Sequence, residues 1–312
     1  MSNSAVAERI INEVKKAVVG KDEAIKLVLS AVLAEGHILI DDIPGVGKTT
    51  MAVAFSKALG LSFKRMQFTP DVLPSDILGF SVYNRDRNTM VFQKGAVFTN
   101  LFLADEINRT SPKTQSALLE VMEEYHVSVD GRTYPIEKPF IVLATENPAG
   151  SAGTMRLPES EMDRFMICIS MGYPTKEEEI EILKRKEAVQ EAEQVTEAAM
   201  LLQMQKEQRN VFIHDAVYDY MVRLVDETRD QTYVELGGSP RASLALSAMS
   251  RSYAYIAGRD YVLPEDVAAV FIPVLNHRVI MNRRSRIDNV AKMDVLEEIL
   301  NKVQRPAQRK EK

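Results

Sequence analysis

Gly45-Val46-Gly47-Lys48-Thr49, directly behind the apolar run Ile38-Leu39-Ile40, narrows what this chain can fold into more than any other stretch. A buried strand that ends in a glycine-rich turn and then opens a helix, here over 50–59, gathers backbone N–H groups at a helix N-terminus. The helix dipole and the unpaired donors there favour an anion. The pattern predicts that Lys48 reaches the β- and γ-phosphates of a nucleotide and that the Thr49 hydroxyl ligates Mg²⁺, with Pro44, Val46 and Thr50 completing the loop. One position departs from the general phosphate-loop pattern: glycine is usual at 42, and this chain has Asp42.

The rest of the chain supports a two-part globular protein. Its 312 residues suit one large and one smaller domain. With 46% apolar and 27% charged residues, it has material for a packed core and is not globally disordered. A net charge of −5 argues against bulk nucleic-acid binding. A single cysteine excludes a disulfide framework and fits a reducing compartment, so a cytoplasmic location is expected. Residues 1–11 include Glu8 and lack a long apolar core, unlike a signal peptide. No window approaches the roughly 18 apolar residues of a membrane span.

Short apolar runs at 36–40, 63–68, 101–104, 140–144 and 165–169 are separated by helix-length segments. That alternation predicts an α/β fold with a parallel five-stranded sheet flanked by helices. Beyond Tyr173-Pro174 the strand signal fades. Residues 177–194, 215–226 and 241–256 are helical in pattern, the last two amphipathic. An α/β core over 1–173, an all-helical domain over 174–304 and a frayed tail over 305–312 are therefore expected.

The run Leu101-Phe102-Leu103-Ala104-Asp105-Glu106 ends an apolar strand in two carboxylates, at the end where open α/β sheets place ligands. Asp105 suits Mg²⁺, a hard ion, and Glu106 is placed to polarise a water for attack on a γ-phosphate. Asn147 follows the run 140–143; its amide can serve both water and phosphate, or simply start an Asn-Pro turn. Arg164 suits the charge of phosphoryl transfer, or an ion pair with Asp163 or Glu161. Ser239 and Pro240 cap a helix whose first turn holds Arg241, where the dipole disfavours a cation and an anion partner is expected. Asp130-Gly131 between alternating runs predicts a hairpin. His37, His126, His214 and His277 show no metal-ligand spacing, and Cys168 reads as a buried, unreactive thiol.

Asp105 through Glu120 (DEINRTSPKTQSALLE), Gln67 through Ile77 (QFTPDVLPSDI), and Leu157-Pro158-Glu159 with Met162-Asp163-Arg164-Phe165 resemble the signature of the MoxR family of AAA+ ATPases, over about 18–276. The resemblance implies a P-loop AAA+ core with a helical lid, and ATP and Mg²⁺ as cofactors. It implies Asn147 as sensor 1, Arg164 as an arginine finger entering the neighbouring subunit's site, and Arg241 as sensor 2 on the lid. Val19-Gly20 would edge the adenine, 79–95 would be an insert in the second helix, and 127–136 a pre-sensor hairpin. An acidic residue is common in the family at position 42, and Gln rather than Glu146 is usual. The implied protein is a homo-oligomeric, hexameric ring ATPase that remodels protein clients with a von Willebrand factor A-domain partner. A DNA-directed ring motor and a nucleotide-gated scaffold with little turnover are the alternatives; the acidic balance makes nucleic acid the poorer partner.

Overall fold

The structure, a computed structural model, describes residues 3–86, 88–146, 157–185 and 191–306. Helices α1 (Asn3–Ala17) and α2 (Asp22–Leu33) precede β1 (Ile38–Asp41), the glycine-rich turn and α3 (Lys48–Ala58). After β2 (Phe63–Gln67), a short α4 (Pro74–Leu78) leads into a hairpin of β3 (Gly79–Asn84) and β4 (Thr89–Lys94). Then come β5 (Leu101–Asp105), a 3-10 turn at Ile107–Arg109 and α5 (Pro112–Glu124). A second hairpin, β6 (His126–Val129) and β7 (Arg132–Pro135), precedes β8 (Ile141–Glu146), α6 (Glu159–Met162) and β9 (Ile167–Ile169).

From there the described residues are helical apart from loops, one ribbon and an isolated bridge between Phe212 and Tyr261, where the sequence pattern predicts an all-helical domain. The helices are α7 (Lys176–Arg185), α8 (Ala198–Gln208) and α9 (Asp215–Glu227). Strands β10 (Val234–Leu236) and β11 (Ile280–Met281) pair across α10 (Pro240–Ile256) and α11 (Pro264–Leu275), and α12 (Arg283–Ile287) and α13 (Lys292–Lys302) follow. No helix among the described residues is long and apolar enough to cross a membrane.

The five predicted strands form one parallel sheet in the order β2-β5-β8-β1-β9. Alternate residues feed two cores, as a period of two requires. Ile38, Ile40, Leu101, Leu103, Ile141 and Leu143 face α1, α2, α3 and the later helices. Leu39, Phe102, Ala104, Val142 and Ala144 face α5 and the hairpins. Covering both faces is what lets the inner strands be almost wholly apolar. The edge strand β2 is half-exposed and carries Lys64, Arg65 and Gln67. In the 126–135 hairpin, Asp130 and Gly131 both take positive φ (51° and 73°), as a two-residue turn of this hand needs. Phe92 of β4 stacks on Tyr134 of β7 with centroids 3.9 Å apart, joining the two hairpins.

His37, ahead of β1, is a buried connector. Its Nδ1 accepts from the Val142 N–H at 3.0 Å, so Nε2 carries the proton and donates to the Met122 carbonyl at 3.0 Å. Burial pushes its pKa down to about 4, and pushes the Cys168 thiol up to about 12. His277 is likewise buried and held well below the ordinary value by burial and by Arg278.

Because His37 titrates near 6.5 when unfolded and at about 4 when folded, the unfolded chain binds the extra proton between those values. Stability is therefore full above about pH 6.5 and declines toward pH 4, by about 3 kcal/mol from this residue. Urea midpoints measured from about pH 7 down to about pH 4.5 should fall, and a His37→Gln/His277→Gln variant should flatten the decline. An unchanged slope in that variant would remove both imidazoles from the account.

Candidate functional site

The register of the sheet assembles the site. Asp41 of β1 pairs with Glu146 of β8, and Ala104 of β5 with Ala144 of β8, so three strands end side by side. The glycine-rich turn leaves β1 next to Asp105 and Glu106. Gly45 and Gly47 have φ of 88° and 94°, which other residues seldom adopt, and Gly47 is the left-handed N-cap of α3. Nothing lies within 4 Å of where a Gly45 side chain would begin, so the turn is open on that side. The first turn of α3 holds Lys48, Thr49 and Thr50, behind Pro44 and Val46. The buried Lys48 Nζ donates to the carbonyls of Asp42 and of Glu146, the latter at 2.9 Å. Burial lowers its pKa, against the opposing pull of Asp42 and Asp105. Glu146 thus serves Lys48 through its backbone.

Thr145 joins the two carboxylates. Its hydroxyl donates to Asp105 Oδ1 at 2.6 Å and accepts from the Glu106 N–H at 2.8 Å. Arg65 of β2 clasps Asp105 Oδ2 with Nη2 at 2.7 Å and Nε at 3.2 Å. Glu106 takes a left-handed φ of 58°, and its carboxylate lies 3.0 Å from Arg109 Nη1. A carboxylate offers about four lone-pair sites, so Asp105 keeps acceptor capacity for a metal-bound water or for the metal. The donor set at Thr49 and Asp105 fits Mg²⁺, which takes few protein ligands and retains water. Among the described residues there is no group of three or more His, Cys, Asp or Glu that could cage a metal instead.

Asp42 is turned away from the phosphate turn. Its carboxylate accepts from Ile43 N–H at 2.8 Å, Ser170 Oγ at 3.0 Å, and the Met171 and Gly172 N–H groups at 2.5 and 2.7 Å. Burial pushes its pKa up, but these four bonds, led by that from Gly172, outweigh it and hold the carboxyl below the ordinary value. The acid therefore clips the start of the phosphate turn to the segment leaving β9. Val19 and Gly20 border the same segment. Gly20 has φ 70°, a side chain there would begin 1.9 Å from Glu178 Oε1, and neighbouring Lys21 Nζ donates to the Tyr173 carbonyl at 3.1 Å. This corner, between 18–21 and 172–178, adjoins the segment that Asp42 clips to the phosphate turn.

Two expected site residues are not brought here. Arg164 Nε lies 3.3 Å from Glu123 Oε2, and Arg241 Nη2 lies 3.1 Å from Glu123 Oε1. Glu123 lies in the last turn of α5, whose 13 residues run back about 20 Å from the carboxyl end of β5. Arg241 therefore sits with Arg164, near the C-terminal end of α5 and away from its own chain's Asp105. Arg164 does not pair with Asp163 or Glu161. Asp163 instead accepts from Arg278 Nε at 2.6 Å and Ser239 Oγ at 3.0 Å, and the buried Arg278 also donates to the Phe165 carbonyl at 2.7 Å. Asn147 and residues 307–312 of the tail lie outside the described residues.

Sequence reasoning missed Thr145, Arg65, Arg109, Glu123 and the Asp163–Arg278 pair. Thr145 alone carried a signal, as the polar residue that ends the strand beside Asp105. Arg65, Glu123 and the Asp163–Arg278 pair lack one because their partners are 40, 41, 118 and 115 residues away, and Arg109, three residues from Glu106, lacks one because surface charge is common.

An Asp42→Ala variant, which strands the Met171 and Gly172 donors, should lose about 2 kcal/mol of stability, read as a lower denaturant midpoint.

The chain matches the ATPase family associated with various cellular activities (AAA) over residues 37–167 and the AAA lid domain over 226–299. It is 42% identical to chaperone MoxR1 of Mycobacterium tuberculosis, over 96% of this chain and 82% of that protein. It is also 42% identical to the uncharacterized protein YeaC of Bacillus subtilis, over 96% and 95%. A crystal structure of a candidate ATPase from Cytophaga hutchinsonii superposes with a TM-score of 0.90 at 37% identity, covering 97% of this chain and 96% of that one. Together with the phosphate turn and the paired carboxylates, these matches establish that the chain belongs to the MoxR family of AAA+ ATPases and is an ATP hydrolase.

Proposed function

We propose that the protein binds Mg-ATP where two copies of the chain meet and uses its hydrolysis to remodel or assemble client proteins. One observation carries this reading: on a single chain, Arg164 and Arg241 lie about the length of α5 away from Asp105 and Glu106. Two guanidinium groups that distant from their own phosphate turn can act on a γ-phosphate only from a neighbour.

The roles follow from the chemistry of each group. Lys48 and the N–H groups opening α3 hold the phosphates, and Thr49 and Asp105 hold Mg²⁺, which neutralises phosphate charge when bound. Glu106 takes a proton from the attacking water, with Asn147 as its orienting amide. Arg164 and Arg241 of the adjacent copy stabilise the charge spread over the transferred phosphoryl group. The division into a core to 173 and a lid over 174–304 goes with this reading. Asp42 ties the phosphate turn to Gly172, and so couples loss of the γ-phosphate to the angle of the lid. A closed ring, six-membered by family resemblance, satisfies every site, and a cytoplasmic setting with a von Willebrand factor A-domain protein as adaptor completes the proposal.

Glu106→Gln should bind ATP with nearly unchanged affinity while turnover falls by about 100-fold or more; near-normal turnover in steady-state assays would remove Glu106 from its role. Turnover per chain should also rise with protein concentration as copies assemble. A fully active species that elutes as a monomer would contradict the shared site.

A further inference from the structure

We infer that Glu123 is a positioning residue, the single carboxylate that holds the two transferable arginines as one phosphate-binding unit. The inference rests on the two-subunit reading above and assigns a part in it to a residue outside the motifs.

Three elements converge on this carboxylate. Arg164 comes from the core just ahead of β9, Arg241 from the first turn of α10, and Glu123 from the last turn of α5. Alone, both helix-end charges are misplaced, since the dipole disfavours a cation in a first turn and an anion in a last turn. Facing each other, they cancel that mismatch. The manner of binding matters more. Glu123 Oε2 takes the Nε edge of Arg164, and Oε1 takes one Nη of Arg241. Among the described residues no further hydrogen bond or ion pair engages the two Nη groups of Arg164 or the remaining donors of Arg241's guanidinium. The Nη pair is the edge that grips a phosphate.

One carboxylate between two guanidinium groups also sets the charge. It offsets their mutual repulsion, which would otherwise splay them, and leaves the trio net positive toward a triphosphate. The backbone beneath is fixed independently: Asp163, beside Arg164, is held by Arg278 and by Ser239, two residues from Arg241. Glu123 thus orients side chains whose main chains the lid already anchors.

The test uses full-length chains and mixed assemblies. Glu123→Ala should bind ATP within about twofold of the native chain, because every contact of a chain with its own nucleotide remains, while kcat falls about 10- to 100-fold. Glu123→Gln, which keeps an oxygen acceptor but no charge, should be intermediate. Mixing Glu123→Ala with Glu106→Gln should then restore turnover, since the first supplies an intact Glu106 and the second supplies correctly held arginines to it. Arg164→Ala mixed with Glu106→Gln is the control and should be restored in the same way. Turnover by Glu123→Ala within about twofold of native overturns the inference. So does failure of rescue for Glu123→Ala when Arg164→Ala is rescued, since the defect is then not delivered to the neighbour. If Arg164→Ala is not rescued either, the shared site itself is overturned.

Discussion

The site depends on the parallel pairing of β1, β8 and β5. Each of these strands is buried on both faces, so none can slip by one residue without exchanging its two cores. That register brings three chain ends together: the phosphate turn, Thr145-Glu146 and Asp105-Glu106. The middle strand then cross-links its neighbours. Thr145 bonds the carboxylate of one residue and the amide of the next, and the Glu146 carbonyl receives Lys48. The chemistry rides on backbone geometry that apolar packing enforces.

A second theme is charge placed where local rules disfavour it. Asp42 beside an anion site, Arg241 at a helix start and Glu123 at a helix end would each cost stability alone. Each is offset by a distant partner: Asp42 by the N–H groups that follow β9, and Arg241 and Glu123 by one another. The Arg241–Glu123 offset crosses between the core and the later helices, as does the buried Arg278–Asp163 pair. Polar contacts that join two bodies are suited to change together when one body moves. The apolar contacts that hold each body are not.

Much was legible in the chain. The five strand positions, their parallel arrangement, the Asp130-Gly131 hairpin and the residues of the phosphate turn follow from apolar periodicity, Gly and Asp-Gly turn chemistry and a few long motifs, whereas the hairpin within 79–94 is expected only as an insert. Those features are local, set by neighbours within about a helical turn or one strand. Lys48 and Thr49 open the helix reached through the turn after β1, and Asp105 and Glu106 stand at the end of β5, so both pairs lie at strand ends that the sequence already marks.

What the sequence by itself determined was therefore the nucleotide half of the machine. Tertiary structure decided where the arginines go. Arg164 and Arg241 were identifiable as cations suited to phosphate, but no charge or turn pattern beside either residue says where its side chain is held. That depends on α5 running back along the sheet to deliver Glu123, and on the lid docking through Arg278 onto Asp163. The same holds for Asp42, whose carboxylate is harmless to phosphate only because three donors 128 to 130 residues later fold over it. Distances of that kind are set by packing between elements, and no local pattern in the chain encodes them.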